Sequence, residues 1–434
     1  MTARRVNSAA EAAEHIEPAD TFAIGLGPGH PGALLHALGE RDDWTDLQMF
    51  GALLTDLYAV FTNPNVHYKS GFYGPAERFL RDSGADIQYV PADFRRFGPI
   101  VEQLAPRVMA TSASAPDADG YCSLSLHAGA TVEELHRAGA DPDRLLIVEH
   151  SPNFPRTFGL PPEHPHRLHL DEIDVIVETD SAPVDLADPE PDDIDRAIAE
   201  FAMGHIPDEA TLQTGIGAIP SLIASMLAQR DGGGYGVHSE MFTTGLMKLQ
   251  QSGKVTNRNK GGGFDGYSVT TFAAGTRELY DWLDDNDSVR FLPVEVVNSG
   301  DVIAHNDDFV SINGATAVDL YGQVAADTIA GRQHSGTGGH EDFVAGAGLQ
   351  SDDHSLLCLR STSTVDGELV SRIRPHLGAD LLVTTPRHQV DKVITEYGVA
   401  ELKARTVRER AGALAEIAHP DFRDELREAA AGYG

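Results

Sequence analysis

One carboxylate and four bases stand out in the stretch GVHSEMFTTGLMKLQQSGKVTNRNKGGGF, residues 236 to 264. Glu240 follows Ser239, a residue type that caps helices, and the apolar positions Met241, Phe242, Leu246, Met247 and Leu249 continue until Ser252-Gly253 ends the run. The pattern predicts a helix opening at Ser239 with Glu240 in its first turn, where the helix dipole and free backbone N–H groups favour a carboxylate near neutral pH. An ionised carboxylate is a nucleophile, not an acid. Taken without its surroundings, the same pair is only a helix start.

The surroundings are unusual. Lys248, Lys254, Arg258 and Lys260 fall between Met241 and Phe264 with no acid among them, in a chain whose formal charge is −33. Only six lysines occur in the whole sequence, and three of them lie here. A phosphate-bearing ligand explains such a reversal, and so does a solvated face that relieves acidic self-repulsion.

These residues must be held by something large enough to bury a core. At 434 residues and 41% apolar content, the chain has the length for two or three domains, and two α/β domains are the simplest arrangement. The opening MTARRVNSAAEAAEHIEPAD has no apolar segment behind its arginines, and no later run approaches a membrane span, so a cytoplasmic protein without membrane attachment is expected. With 66 acids against 33 Lys and Arg, a nucleic-acid partner is not expected, because phosphate backbones need a broad basic surface. Cys122 and Cys358 lie far apart without a CxxC partner, which supports neither a disulfide framework nor a thiolate metal site.

One local device occurs twice. Thr21-Phe-Ala-Ile runs into Gly25-Leu-Gly-Pro-Gly-His-Pro31 and a helix from Ala33 to Leu38. About 190 residues later, Thr211-Leu-Gln-Thr enters Gly215-Ile-Gly-Ala-Ile-Pro220 and the helix-like SLIASMLAQ. Strand, glycine turn and helix in both places suggest two similar α/β halves, whose ligands bind at strand carboxyl ends. Further strands are expected near 85 to 90, 107 to 111, 145 to 149 and 175 to 177. The acid- and proline-rich DSAPVDLADPEPDDIDR, 180 to 196, marks the junction, giving domains 1–190 and 191–434.

Other chemistries fit poorly. Pro220 stands where a dinucleotide fingerprint needs its third small residue, no G-x-S-x-G elbow occurs, and Gly253-Lys254 lacks the upstream glycine of an ATP-binding loop. Neither ATP nor metal is expected; the histidines of EHPHRLHL (163 to 170) have no metal-ligand spacing. What remains suits acyl transfer, in which a carboxylate attacks an activated acyl group and backbone N–H groups stabilise the oxyanions.

In that light the chain resembles family I coenzyme A transferases of the acetyl-CoA hydrolase/transferase group, most closely the 4-hydroxybutyrate and butyrate:acetate CoA-transferase branch. The resemblance rests on GLGPGHP (25 to 31), SPNFPRTFG (151 to 159), GIGAIP (215 to 220), GVHSEM (236 to 241) and SINGATAVDLYGQV (311 to 324). SGTGGHEDF (335 to 343), VITEYGVAEL (393 to 402) and IAHPDFR (417 to 423) complete it. It implies two α/β domains with the active site between them, and Glu240 as the nucleophile that becomes a glutamyl-CoA thioester. It also implies coenzyme A as substrate and assembly as a homo-oligomer.

Further site residues follow from the resemblance. Gly215, Gly217, Gly338 and Gly339 are expected to supply pocket and oxyanion contacts, with Asn313 and Glu396 beside them. Gly336 and the bases Lys248, Lys254, Arg258 and Lys260 are expected to meet the coenzyme. His340 stands where the branch usually has Gln, which leaves the acyl group and the carboxylate acceptor open, water included. A noncovalent CoA- or nucleotide-binding protein, for which Glu240 is merely a helix start, is the reading from a different class.

Overall fold

A computed structural model describes residues 3–128, 131–365 and 367–433. The chain divides into two compact units, Met1–Leu186 with Val269–Val297, and Ala187–Ser268 with Asn298–Gly434. The single junction expected near residue 190 therefore misses an excursion. Residues 269–297 belong to the first unit because their backbone is bonded into it: Ala273 N–H donates to the Leu126 carbonyl at 2.8 Å and Phe291 N–H to that of Phe158 at 2.8 Å. Such long-range pairing leaves no local composition signal.

In the first unit eight strands form one parallel sheet. They are β1 (Arg4–Val6), β2 (Ala19–Leu26), β3 (Asp46–Ala52), β4 (Val66–Ser70), β5 (Ile87–Tyr89), β6 (Val108–Ser114), β7 (Leu145–Ser151) and β8 (Val175–Glu178). Their order is β1-β8-β7-β6-β2-β3-β4-β5. The first glycine turn leads from β2 to helix α1 (Gly32–Gly39), as expected. Glu149, fully buried at the end of β7, accepts from the N–H groups of Ala33 (3.2 Å) and Leu34 (2.9 Å) and from the Thr179 and Ser181 hydroxyls. The helix N-terminus is thus closed by the fold's own carboxylate.

The second unit carries β9 (Thr211–Thr214), the two-residue β10 (Gly236–Val237), β11 (Phe309–Gly314), β12 (His354–Cys358), β13 (Lys392–Thr395) and β14 (Gly398–Glu401). They lie in the order β10-β9-β11-β12-β13-β14, parallel but for the last pair. Adjacent residues serve opposite faces. Leu212, Ile312, Leu356 and Ile394 join a core with helix α2 (Ala218–Gln229), whereas Leu357 and Val393 join another with helices Val407–Glu416 and Pro420–Ala431. That alternation makes this unit a doubly wound α/β sheet.

Arg410, 9% exposed, is spent on this architecture. Its guanidinium donates to the carbonyls of Leu402 (3.1 Å), Tyr321 (3.2 Å), Arg387 (2.6 Å) and Val390 (3.4 Å). Arg410→Met should therefore cost about 2–4 kcal/mol, because buried carbonyls lose their donors. Urea denaturation checks this; a loss below about 0.5 kcal/mol would show that the carbonyls find other partners.

Candidate active site

Glu240 hangs from the edge strand of the second sheet. Gly236 N–H and His238 N–H donate to the carbonyls of Ala210 and Leu212 in the adjoining segment, both at 3.0 Å, and Ser239 follows, fully buried. The Ser239 hydroxyl accepts from Thr214 N–H (3.3 Å) and has the Met241 (2.8 Å) and Thr214 (3.1 Å) carbonyls as acceptors for its one proton, so it is used up at the end of β9. The expected helix start at Ser239 is therefore corrected. Met241–Phe242 is extended, and helix α3 (Thr244–Gln251) opens after Thr243, whose hydroxyl accepts from Leu246 N–H at 3.3 Å.

Glu240 consequently lies outside the helix, and its electrostatics differ from the expectation. Burial raises its pKa to about 8; a hydrogen bond from Asn298 opposes this, and the charge of Asp342 adds to it. The Asn298 amide nitrogen bridges the two acids, donating to Glu240 Oε2 at 2.6 Å and to Asp342 Oδ2 at 3.0 Å. Neither Asn298 nor Asp342 was picked out from the sequence. Asn298 lies 58 residues from Glu240, in a segment with no motif of its own.

The glycine loop before helix α4 (His340–Ala347) closes on the same carboxylate. A Cβ on Gly339 would lie 1.9 Å from Glu240 Oε2 and 2.5 Å from Asn298 Nδ2, so only glycine lets the loop approach. Gly338 before it adopts φ 57°, also a glycine conformation. Asp342 sits in the first turn of α4. The arrangement is a carboxyl group held by one amide donor, with backbone packed against one of its oxygens and a second acid beyond.

Similar proteins share this chain almost end to end. Residues 275–430 match the family model described as acetyl-CoA hydrolase/transferase C-terminal domain. The 4-hydroxybutyrate coenzyme A transferase of Clostridium kluyveri is 39% identical over 82% of this chain and 80% of its own length. A probable butyrate:acetyl-CoA coenzyme A-transferase of Syntrophomonas wolfei is 34% identical over 96% of this chain and 93% of its own. The crystal structure of RipA from Yersinia pestis superposes with a TM-score of 0.88 at 32% identity, covering 99% of this chain and 97% of that one. The chain belongs to the acetyl-CoA hydrolase/transferase family.

The other residues expected at the site of this transferase-family enzyme lie at several places in the second unit. Gly217, at φ 122°, opens α2, and its N–H donates to Asp188 Oδ1 at 3.0 Å; the Ser221 hydroxyl donates to the same carboxylate. A side chain at Gly215 would meet open space. Asn313 and Gln213 exchange amide hydrogen bonds (3.0 and 3.3 Å) across β11 and β9, and Glu396 accepts from Ser361 N–H (2.9 Å) and hydroxyl (2.6 Å). Burial lowers the pKa of the His340 ring to about 4, an interaction with the Gly314 backbone opposing the shift, so the ring stays neutral at physiological pH. Gly336 lies in the loop leading to α4.

The four bases of the run differ in their surroundings. Lys248 and Arg258 are exposed, but Lys254 donates to the Arg230 and Gly232 carbonyls, both at 2.8 Å. Lys260, 1% exposed, donates to the Val237 (2.7 Å) and Tyr267 (2.8 Å) carbonyls. An ammonium enclosed and spent on two carbonyls does not serve a coenzyme phosphate. Charge counting finds bases without revealing which are consumed by the backbone. Among the described residues, no helix is long and apolar enough to cross a membrane.

Proposed function

We propose that this protein is a ping-pong CoA-transferase that moves coenzyme A from a short-chain acyl-CoA, of the acetyl, butyryl or 4-hydroxybutyryl type, to a small carboxylate such as acetate. The observation that carries the reading is the Glu240 carboxyl group, bonded to Asn298 and packed against Gly339. The full-length similarity to coenzyme A transferases supports it.

In the first half-reaction the Glu240 carboxylate attacks the acyl thioester carbonyl and expels the CoA thiolate, leaving an acyl-glutamyl anhydride. The thiolate then attacks the glutamyl carbonyl, releasing the acyl group as a carboxylate and leaving a glutamyl-CoA thioester. An incoming carboxylate reverses both steps with its own acyl group. Each half-reaction exchanges one thioester for another, so no ATP is consumed. The Asn298 N–H is placed to stabilise the glutamyl oxyanion.

Intact mass after incubation with a panel of acyl-CoA esters tests this directly. A CoA-sized adduct on Glu240, discharged by acetate, is expected; thiol release at full rate without any carboxylate would make the enzyme a hydrolase. Absence of both, with CoA bound, would leave a noncovalent binding protein.

The pH dependence follows from the same geometry. Attack requires the anion, so the thioester-forming rate should rise with pH and level off above about 8. Asp342→Asn removes a like charge and should move this limb about 0.5–1 unit lower, which rapid-quench rates between pH 5.5 and 9.5 would measure. An unmoved limb would show that Asp342 does not act on Glu240.

A further inference from the structure

The strand that presents Glu240 lies at the edge of its sheet, yet its outward groups are satisfied. In a parallel sheet alternate residues turn their N–H and C=O outward, and on an edge strand these lack a partner. Gly236 and His238 bond inward to β9, so Val237 faces out. Its N–H donates to Asn257 Oδ1 at 2.8 Å, and its carbonyl accepts from Lys260 Nζ at 2.7 Å. Two side chains take the place of a missing strand.

The clamp is built for that position. Tyr235 N–H donates to the Lys254 carbonyl at 2.9 Å, and the Tyr235 carbonyl accepts from Thr256 (2.8 Å) and Asn257 (3.0 Å) N–H, so backbone 254–257 runs along the edge first. Asn257 then adopts φ 52°, a left-handed turn that asparagine tolerates, and Val237 is left to the side chains. The Lys260 stem crosses Gly236, where a Cβ would lie 2.9 Å from Lys260 Cγ. On the other side, Asn257 Nδ2 donates to the Ser268 hydroxyl (3.0 Å), which donates to Gln250 Oε1 (2.8 Å) at the end of α3. The clamp therefore reaches the strand before Glu240 and the helix after it.

We propose that Lys260 and Asn257 are positioning residues that fix the catalytic carboxylate by clamping Val237, three residues upstream, rather than residues that bind the coenzyme. This rests on Glu240 being the nucleophile. Burying an ammonium is costly, and burial pushes the Lys260 pKa down to about 7, partly offset by Asp265. Its place at this edge is therefore explained by where it holds the chain, not by packing.

The test compares wild type, Lys260→Met, Asn257→Gly and Arg410→Met at a temperature where all are folded by circular dichroism. Glycine keeps the positive φ at 257, so that variant loses the clamp without backbone strain. Arg410→Met is destabilised away from the clamp and controls for loss of stability alone. Thioester formation from butyryl-CoA is followed by quench and intact mass, and CoA affinity by calorimetry. The expected result is a fall of about 10²-fold in thioester formation for both clamp variants, with the CoA Kd changed less than about threefold, the scale on which a misplacement near 1 Å acts. Arg410→Met should form thioester at the wild-type rate. Unchanged rates in both clamp variants overturn the positioning role. A parallel loss of CoA affinity in Lys260→Met returns Lys260 to the coenzyme site and overturns it too. If wild type forms no adduct at all, the fault lies with the nucleophile assignment, a separate result.

Discussion

Replacing Glu240 with glutamine should abolish turnover and at the same time stabilise the protein at alkaline pH. The first effect follows from the proposed chemistry: an amide cannot attack the acyl thioester, so no glutamyl-CoA forms, and turnover should fall by about 10⁴-fold or more. The second follows from the environment. A carboxyl group whose folded pKa is raised to about 8 holds its proton in the folded state after the unfolded chain has lost it. Stability from this group is therefore fully present below the ordinary carboxyl pKa of 4.5 and is lost as pH rises through 8.

Glutamine keeps the shape and never carries the charge. The two proteins should be about equally stable at pH 4.5 and diverge by on the order of 3 kcal/mol by pH 9. Urea denaturation at both pH values, beside the mass assay, reads both effects. Equal stability at pH 9 would mean that the carboxylate is ionised without penalty, as a helix-start position implies; turnover retained in the variant would remove Glu240 from the chemistry.

The sequence exposed this site unevenly. Glu240 was legible because a lone acid beside four bases, in a chain so acidic, is a local anomaly, and the glycine turns were legible because each follows an apolar strand and precedes a helix. Ser239 misled for a physical reason. A serine hydroxyl caps a helix or closes a strand end equally well, and here Thr214 supplies the groups that claim it, from 25 residues away. Moving the helix start to Thr243 takes Glu240 out of the dipole and replaces the expected carboxylate near neutral pH with a group whose pKa is raised.

The bases show the same limit from the other side. Lys254 and Lys260 look like a phosphate site in a charge count, yet each ammonium is consumed by carbonyls that only the fold brings near. Asn298 and Asp342 were invisible because their significance is pairwise: neither residue type is remarkable until the amide is found between two acids. Patterns of one chain segment report elements and turns; the electrostatics of a site come from segments that meet.

Gly339→Ala makes that meeting measurable. Its backbone, at φ −90° and ψ 8°, is one an alanine adopts without strain, so the substitution tests only the space beyond the Cα. That space is taken by the Glu240 carboxyl group and the Asn298 amide. One methyl should therefore displace the carboxylate from its hydrogen bond, lowering thioester formation by about 10²-fold and stability by about 1–3 kcal/mol. In a Glu240→Ala background the nearest obstacle is gone, and although Asn298 still crowds the methyl, the stability cost should shrink by at least about 1 kcal/mol. Denaturation of the four proteins of this cycle decides it. Strictly additive costs would show that Glu240 moves aside freely, and a carboxylate that moves aside freely is not held for attack.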